Sequence, residues 1–121
     1  MEKIAIIGGS GFLGTRLSKI FIKNNIDFSV FDIVSSSENV EFFFLDVLDK
    51  KSLNQLEGYS IIINLAAVHR DDVKPISKYD DVNVTGAMNI CNAAKNFHIN
   101  KILIFISCMK NIGKIIKFCI H

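Results

Sequence analysis

Three glycines, Gly8, Gly11 and Gly14, recur at every third position between two apolar segments. The segment before them, residues 3–7, is short and β-branched, which is typical of a strand buried on both faces. Residues 12–23 follow the 3.6-residue period of an amphipathic helix. A glycine turn in this position lets the backbone approach a pyrophosphate, which the helix N-terminus stabilises. The spacing predicts a phosphate-binding turn, and the alternative is a tight turn without a ligand.

One acidic residue follows where a dinucleotide-binding fold places the group that binds the ribose. Asp32 lies near the end of a second predicted strand, residues 27–33, and 18 residues after Gly14. A carboxylate there hydrogen-bonds the adenosine ribose 2′-hydroxyl. It would repel a 2′-phosphate, and Ile33 supplies no cation to hold one. The sequence therefore favours NAD over NADP, and the alternative is a strand-end Asp in a turn.

The remaining segments supply the scaffold that holds these residues. Apolar runs predict strands over residues 40–45, 61–65 and 101–106, and helical spacing predicts a short helix over 48–56 and a longer one over 87–97. The three consecutive Phe in the first of these strands indicate a buried strand. Strands that alternate with helices require right-handed crossovers in a mainly parallel sheet. We therefore predict an α/β, doubly wound fold of about five strands.

Composition excludes several classes of protein. The chain has 121 residues, of which 50% are hydrophobic and 21% charged, as expected for one globular domain. Residues 1–106 contain 11 Lys and Arg against 12 Asp and Glu, so the clustered basic face that nucleic acid requires is missing. No apolar segment approaches the roughly 20 residues of a membrane span, and no secretory signal is evident. We expect a cytoplasmic protein that binds neither nucleic acid nor membrane.

Three cysteines, Cys91, Cys108 and Cys119, are odd in number and lack the close pairs of zinc or redox motifs. We interpret them as reduced thiols and predict no metal site.

Four motifs together resemble the extended branch of the short-chain dehydrogenase/reductase superfamily, the NAD-dependent epimerases and dehydratases that act on nucleotide sugars. The matching segments are residues 6–14, 45–47, 64–67 and 83–89. The resemblance implies an NAD-binding, Rossmann-type domain over residues 1–107. Residues 108–121 form a divergent basic tail, which we interpret as a frameshift product that truncates the fold, with a native short tail as the alternative.

The resemblance also implies roles for individual residues in binding NAD. The implied cofactor-binding residues are Gly8, Gly11, Phe12, Leu13, Gly14, Asp32, Asp46, Val47, Leu65, Ala66 and Ala67. Within this set the glycine turn would wrap the pyrophosphate, and Asp46 would contact the exocyclic amine of adenine. Residues 65–67 would line the channel toward the nicotinamide ribose.

Three further residues match positions outside the cofactor site. Asn83 matches an asparagine that supports the active site of the family, and Ser107 lies close to the position of its catalytic hydroxyl. Arg70 follows on a charged loop, where a guanidinium could meet a sugar-nucleotide phosphate. The alternatives are a helix-cap amide for Asn83 and a solvated loop for Arg70.

The family's Tyr-x-x-x-Lys pair is absent, because neither Tyr59 nor Tyr79 has a lysine four residues later. In the family the tyrosine moves the hydroxyl proton, and the lysine lowers its pKa. The resemblance therefore implies the N-terminal half of a nucleotide-sugar epimerase or dehydratase, inactive alone and able to form a homodimer. The alternative is a non-catalytic dinucleotide-binding module or an inert fragment.

Overall fold

The computed structural model of the protein describes residues 2–36, 38–66 and 81–104. Its five strands form one parallel sheet in the order β3-β2-β1-β4-β5. The strands are β1 (Ile4–Ile7), β2 (Phe28–Asp32), β3 (Phe42–Phe44), β4 (Ile61–Asn64) and β5 (Lys101–Ile104). The helices are α1 (Phe12–Lys23) and α2 (Ala87–Asn96), with a 3₁₀ helix over Ser52–Leu56 and a π-helical turn over Asp81–Gly86.

The strand order confirms the predicted Rossmann-type, doubly wound fold. From β1 the chain moves outward to β2 and β3, and it then crosses β1 to form β4 and β5 on the other side. Where the order reverses, the connections after β1 and β4 leave in opposite directions. In open parallel sheets such a reversal creates a crevice at the carboxyl ends of the strands, where ligands bind.

Each face of the sheet has its own apolar core. Ala5 and Ile7 of β1 face the larger core, which α2 and the 3₁₀ helix cover. Ile6 faces the other side, where it packs with Phe21 of α1 and Ile63 of β4. Both faces of β1 are therefore buried, as the β-branched run predicted.

Strand β3 differs from its sequence-based prediction. Among the described strands it pairs with β2 alone, and Phe43 and Phe44 are 40% and 62% exposed. The prediction that its Phe run is buried is wrong, because β3 lies at the edge of the sheet. Phe43 still contributes to packing, since its ring stacks on Phe31 with the centroids 5.5 Å apart.

Cys91 lies fully buried on α2 and is disulfide-bonded. The interpretation of this residue as a reduced thiol is therefore wrong, because spacing along the chain does not reveal which cysteines approach each other in a fold.

Within the described ranges, no helix has both the length and the apolar character needed to cross a membrane.

Candidate cofactor-binding site

The glycine turn connects β1 to α1 at the carboxyl edge of the sheet, and two of its glycines are required by close contacts. Gly8 has φ +77°, and a Cβ there would lie 2.6 Å from the backbone nitrogen of Ala66. A Cβ on Gly14 would lie 2.4 Å from the Cα of Gly9. Side chains at these positions would force the turn away from β4 and α1 away from the turn.

The third glycine faces open space. Among the described residues, a Cβ on Gly11 would lie within 4 Å of the Gly8 carbonyl oxygen alone, at 3.8 Å. Gly11 also begins α1, since its carbonyl accepts the first helical hydrogen bond, from Thr15 N at 2.9 Å. The backbone N–H groups of residues 12–14 therefore have no acceptor within the helix. With no acidic residue in this first turn, the arrangement suits an anion such as a pyrophosphate.

Asp32 lies at the end of β2 and joins the glycine turn directly. Its Oδ2 accepts a hydrogen bond from Ser10 N at 3.0 Å. Its Oδ1 accepts bonds from the backbone N–H groups of Ile33 and Val34, at 2.7 and 3.3 Å. The Ser10 hydroxyl also donates to the carbonyl of Val34 at 2.6 Å. Because an ionised carboxylate offers about four acceptor sites, Asp32 retains capacity for a ribose hydroxyl.

The turn after β3, residues 45–48, runs beside Asp32. Leu45 N donates to the carbonyl of Asp32 at 3.1 Å. The Asp46 carboxylate accepts from Leu48 N at 3.0 Å, and Asp46 N donates to the Ser52 hydroxyl at 3.0 Å. Val47 is buried, whereas Leu48 is 40% exposed at the same edge. The chain therefore leaves the core between Val47 and Leu48, at the same edge of the sheet as the Asp32 carboxylate.

The far wall of the crevice follows β4. Leu65 and Ala66 are half-buried, and Ala66 N donates to the buried Asn64 side chain at 3.0 Å. Leu65 N donates to the carbonyl of Ile7 at 2.7 Å, which ties the end of β4 to the end of β1. These contacts bring the end of β4 against the glycine turn, as the contact of Gly8 with Ala66 also requires.

Several predicted site residues lie beyond this part of the protein. Ala67, Arg70 and Ser107 lie outside the described residues. Asn83 belongs to the π-helical turn that leads into α2, and its side chain is outside the described part. Their roles stay predictions, as do the roles of the residues that the structure brings together.

Two residues of the site were missed by sequence reasoning. Ser10 joins the glycine turn to the end of β2 through its backbone and its hydroxyl. Asn89 of α2 is 7% exposed, and its Nδ2 donates to the carbonyl of Val47 at 3.0 Å. A signal for Asn89 was present in the sequence, because it is an amide among the buried apolar positions of an amphipathic helix.

The comparison with known proteins decides the family. The model of the 3-beta hydroxysteroid dehydrogenase/isomerase family matches residues 5–119. The chain belongs to this family. The curated relatives of the chain include epimerases, which confirms the resemblance to NAD-dependent epimerases and dehydratases.

Two curated relatives and one solved structure illustrate the similarity. The chain is 36% identical to N-acetyl-alpha-D-glucosaminyl-diphospho-ditrans,octacis-undecaprenol 4-epimerase of Escherichia coli, with 84% of this chain and 31% of the relative covered. It is 28% identical to UDP-glucose 4-epimerase of Mycoplasma genitalium, with 78% and 32% covered. A short-chain dehydrogenase/reductase superfamily protein of Agrobacterium tumefaciens, solved with bound NAD, superposes with a TM-score of 0.79 at 19% identity, with 85% and 32% covered. The chain thus spans about a third of the length of the curated relatives it matches.

Proposed function

We propose that this chain is the NAD-binding unit of an NAD-dependent nucleotide-sugar epimerase or dehydratase. The observation that carries the proposal is the carboxylate of Asp32, bonded to Ser10 N at 3.0 Å, beside a glycine turn that leaves open space at Gly11. That combination matches the ribose and pyrophosphate subsites of a dinucleotide fold. The epimerase names of the curated relatives support nucleotide or diphosphate sugars as the substrate class.

The proposal places NAD, from its adenine to its nicotinamide ribose, along the described residues. The free N–H groups at the start of α1 would bind the pyrophosphate, and Asp32 would bind the adenosine ribose. The turn over residues 45–48 would hold the adenine, and Leu65 with Ala66 would border the nicotinamide ribose. NAD, when bound, supplies hydride acceptance and return. The absence of a cation at Ile33 and the charge of Asp32 both favour NAD over NADP.

The proposal assigns cofactor binding, and no proton transfer, to these 121 residues. Neither of its tyrosines is followed by a lysine at the spacing that the chemistry uses. A phenol without such a partner lacks the cation that lowers its pKa into the working range.

Residues 1–107 are proposed as the NAD-binding domain and residues 108–121 as a separate tail. A cytoplasmic location and a homodimer belong to the same proposal.

The test is calorimetric titration of the purified chain with NAD, NADP and ADP-ribose. Wild type should bind NAD and ADP-ribose more tightly than NADP. Gly11→Val should weaken NAD binding at least about tenfold, because its side chain occupies the space opened for the pyrophosphate. Asp32→Ala should weaken NAD binding and narrow the difference between NAD and NADP.

Asp27→Ala is the matched control, because Asp27 is exposed and lies immediately before the amino end of β2. It should leave all three affinities unchanged. A folded wild-type chain, judged by circular dichroism, that gives no heat with NAD or ADP-ribose would contradict the proposed function.

A further inference from the structure

We propose that Asn89 is a positioning residue that sets the selectivity of the site for adenine, acting through the Asp46 carboxylate. The inference rests on the proposed function, since it concerns the base of the same dinucleotide. The carboxylate of Asp32 is proposed to bind the ribose. Asp32 pairs in register with Phe44 of β3, and Leu45 N donates to the backbone carbonyl of Asp32. A base attached to a ribose held by Asp32 must therefore lie against the next residues of that neighbouring segment, 46–48.

One peptide unit in this turn is held from both sides. The carbonyl of Val47 and the N–H of Leu48 belong to the same peptide plane. Asn89 Nδ2 donates to that carbonyl at 3.0 Å, while the N–H donates to Asp46 Oδ1 at 3.0 Å. The amide of Asn89 therefore fixes the plane of the peptide, and the plane fixes the direction in which the Asp46 carboxylate points.

The carboxylate so fixed has one oxygen to spare. Among the described residues, Asp46 Oδ2 accepts no hydrogen bond, and the Asp46 side chain lies at the carboxyl edge rather than in the core. A carboxylate oxygen accepts from an exocyclic amine and is repelled by a carbonyl oxygen. Asp46 therefore distinguishes adenine, which carries the amine, from hypoxanthine, which carries a carbonyl in its place.

Asn89 is held in place by the packing of α2, so it can restrain the turn over residues 45–48. It is 7% exposed and lies on α2, whose neighbouring buried residues Ile90, Ala93 and Ala94 pack into the larger core. A donor on a packed helix has little freedom to follow a moving carbonyl. Without it, the Val47 carbonyl would be left unpaired in the interior, and the peptide would rotate to find another donor. The Asp46 carboxylate would then lose its fixed direction.

The experiment compares NAD with nicotinamide hypoxanthine dinucleotide, which differs at that one substituent. Wild type should bind NAD about tenfold more tightly than the hypoxanthine analogue, as one charge-assisted hydrogen bond allows. Asn89→Leu keeps a similar volume without a donor. It should weaken NAD binding about tenfold and change binding of the analogue less than about twofold, so that the ratio falls to about one.

Three further variants make the result decisive. Asn92→Leu, on an exposed position of the same helix, should keep the wild-type ratio. Asn89→Ala serves if the leucine variant does not fold, and Asp46→Ala should abolish the ratio with Asn89 intact. A purely structural role would weaken both dinucleotides equally.

The outcomes separate the two proposals. If wild type binds neither dinucleotide, the proposed function fails and the role of Asn89 fails with it. If wild type binds NAD selectively and either the Asn89 variants or Asp46→Ala keep the tenfold ratio, the positioning role is wrong and the proposed function stands.

Discussion

The polar groups at the two edges of the sheet differ in whether their hydrogen-bonding capacity is already used. At the carboxyl ends, the glycine turn, Asp32 and Asp46 present N–H groups and carboxylate oxygens with unused capacity. At the amino ends, four polar side chains from four neighbouring segments bind one another. We call these four the amino-edge network: Lys3, Ser29, Glu41 and Tyr59.

The amino-edge network is a continuous chain of contacts. The Tyr59 hydroxyl donates to Ser29 Oγ at 2.8 Å, and the fully buried Ser29 hydroxyl donates to Glu41. The ammonium of Lys3 lies 3.0 Å from the same carboxylate and 5.3 Å from the centre of the Tyr59 ring. The hydrogen bonds from Ser29 and Lys3 hold the pKa of Glu41 below its usual value, and the bond to Glu41 raises the pKa of Lys3.

This difference separates stability from function within one sheet. Polar groups that satisfy each other contribute to the free energy of unfolding but leave nothing for a ligand. Groups held with unused acceptors or donors contribute less to folding and are available for binding. Changes at the amino edge should therefore alter stability alone, whereas changes at the carboxyl edge divide into positions that pack and positions that bind.

The largest effect is expected at Gly8, a packing position at the carboxyl edge. Gly8→Ala should lower the free energy of unfolding by about 3 kcal/mol or more, because it combines a positive φ with a backbone clash. Gly11→Ala, with ordinary φ and open space, should change it by less than about 0.5 kcal/mol. Urea unfolding followed by circular dichroism measures both.

Gly58 provides the matched control, since it has φ +91° and, in the described part of the chain, no heavy atom within 4 Å of a Cβ. Gly58→Ala should cost about 1 kcal/mol, the contribution of the backbone conformation alone. Equal losses at Gly8 and Gly58 would show that the approach of the turn to β4 is not tight, and would remove the steric basis for the crevice wall.

The sequence predicted the parts of this molecule that depend on local patterns. The glycine spacing and the β-branched run of β1 are local, and the strands and long helices lie within a few residues of their predicted positions. The exposure of Phe44 was not predictable, because an edge strand and a central strand of a parallel sheet have similar sequences. The contact of Asn89 with Val47 joins residues 42 apart, and only the packing of α2 brings them together.

The amino-edge network should respond to a double-mutant cycle. Tyr59→Phe should lower the free energy of unfolding by about 1 kcal/mol, the usual net value of one hydrogen bond. Ser29→Ala should lower it by about 2 kcal/mol, because it also removes the hydrogen bond to Glu41. The double variant should lose about 0.5 to 1 kcal/mol less than the sum, because both changes remove the same bond. Dissociation constants for NAD should stay within twofold of wild type. Additive losses, or weakened NAD binding, would contradict a closed network that serves stability alone.

The smallest effect concerns the ion pair at the amino edge, and it carries a definite sign with pH. Folding lowers the pKa of Glu41 below its usual 4.5. The ionised Glu41 carboxylate therefore stabilises the fold above about pH 4.5, and this stabilisation is lost as pH falls through the pKa of Glu41 in the folded protein. The two side chains are 34% and 49% exposed, so solvent screens the pair. Glu41→Gln should therefore cost only about 0.5 kcal/mol at pH 7, and its difference from wild type should be smaller at about pH 3, because the Glu41 carboxylate gains protons as pH falls.

Glu57→Gln is the control, since Glu57 is exposed and forms no ion pair within the described ranges. It should match wild type within about 0.3 kcal/mol at both pH values. A loss from Glu41→Gln that is as large at pH 3 as at pH 7 would mean that the hydrogen bond from Ser29 acts without the charge. The amino edge would then be closed by neutral hydrogen bonds alone, and charge would matter only at the carboxyl edge, where Asp32 and Asp46 remain open to a ligand.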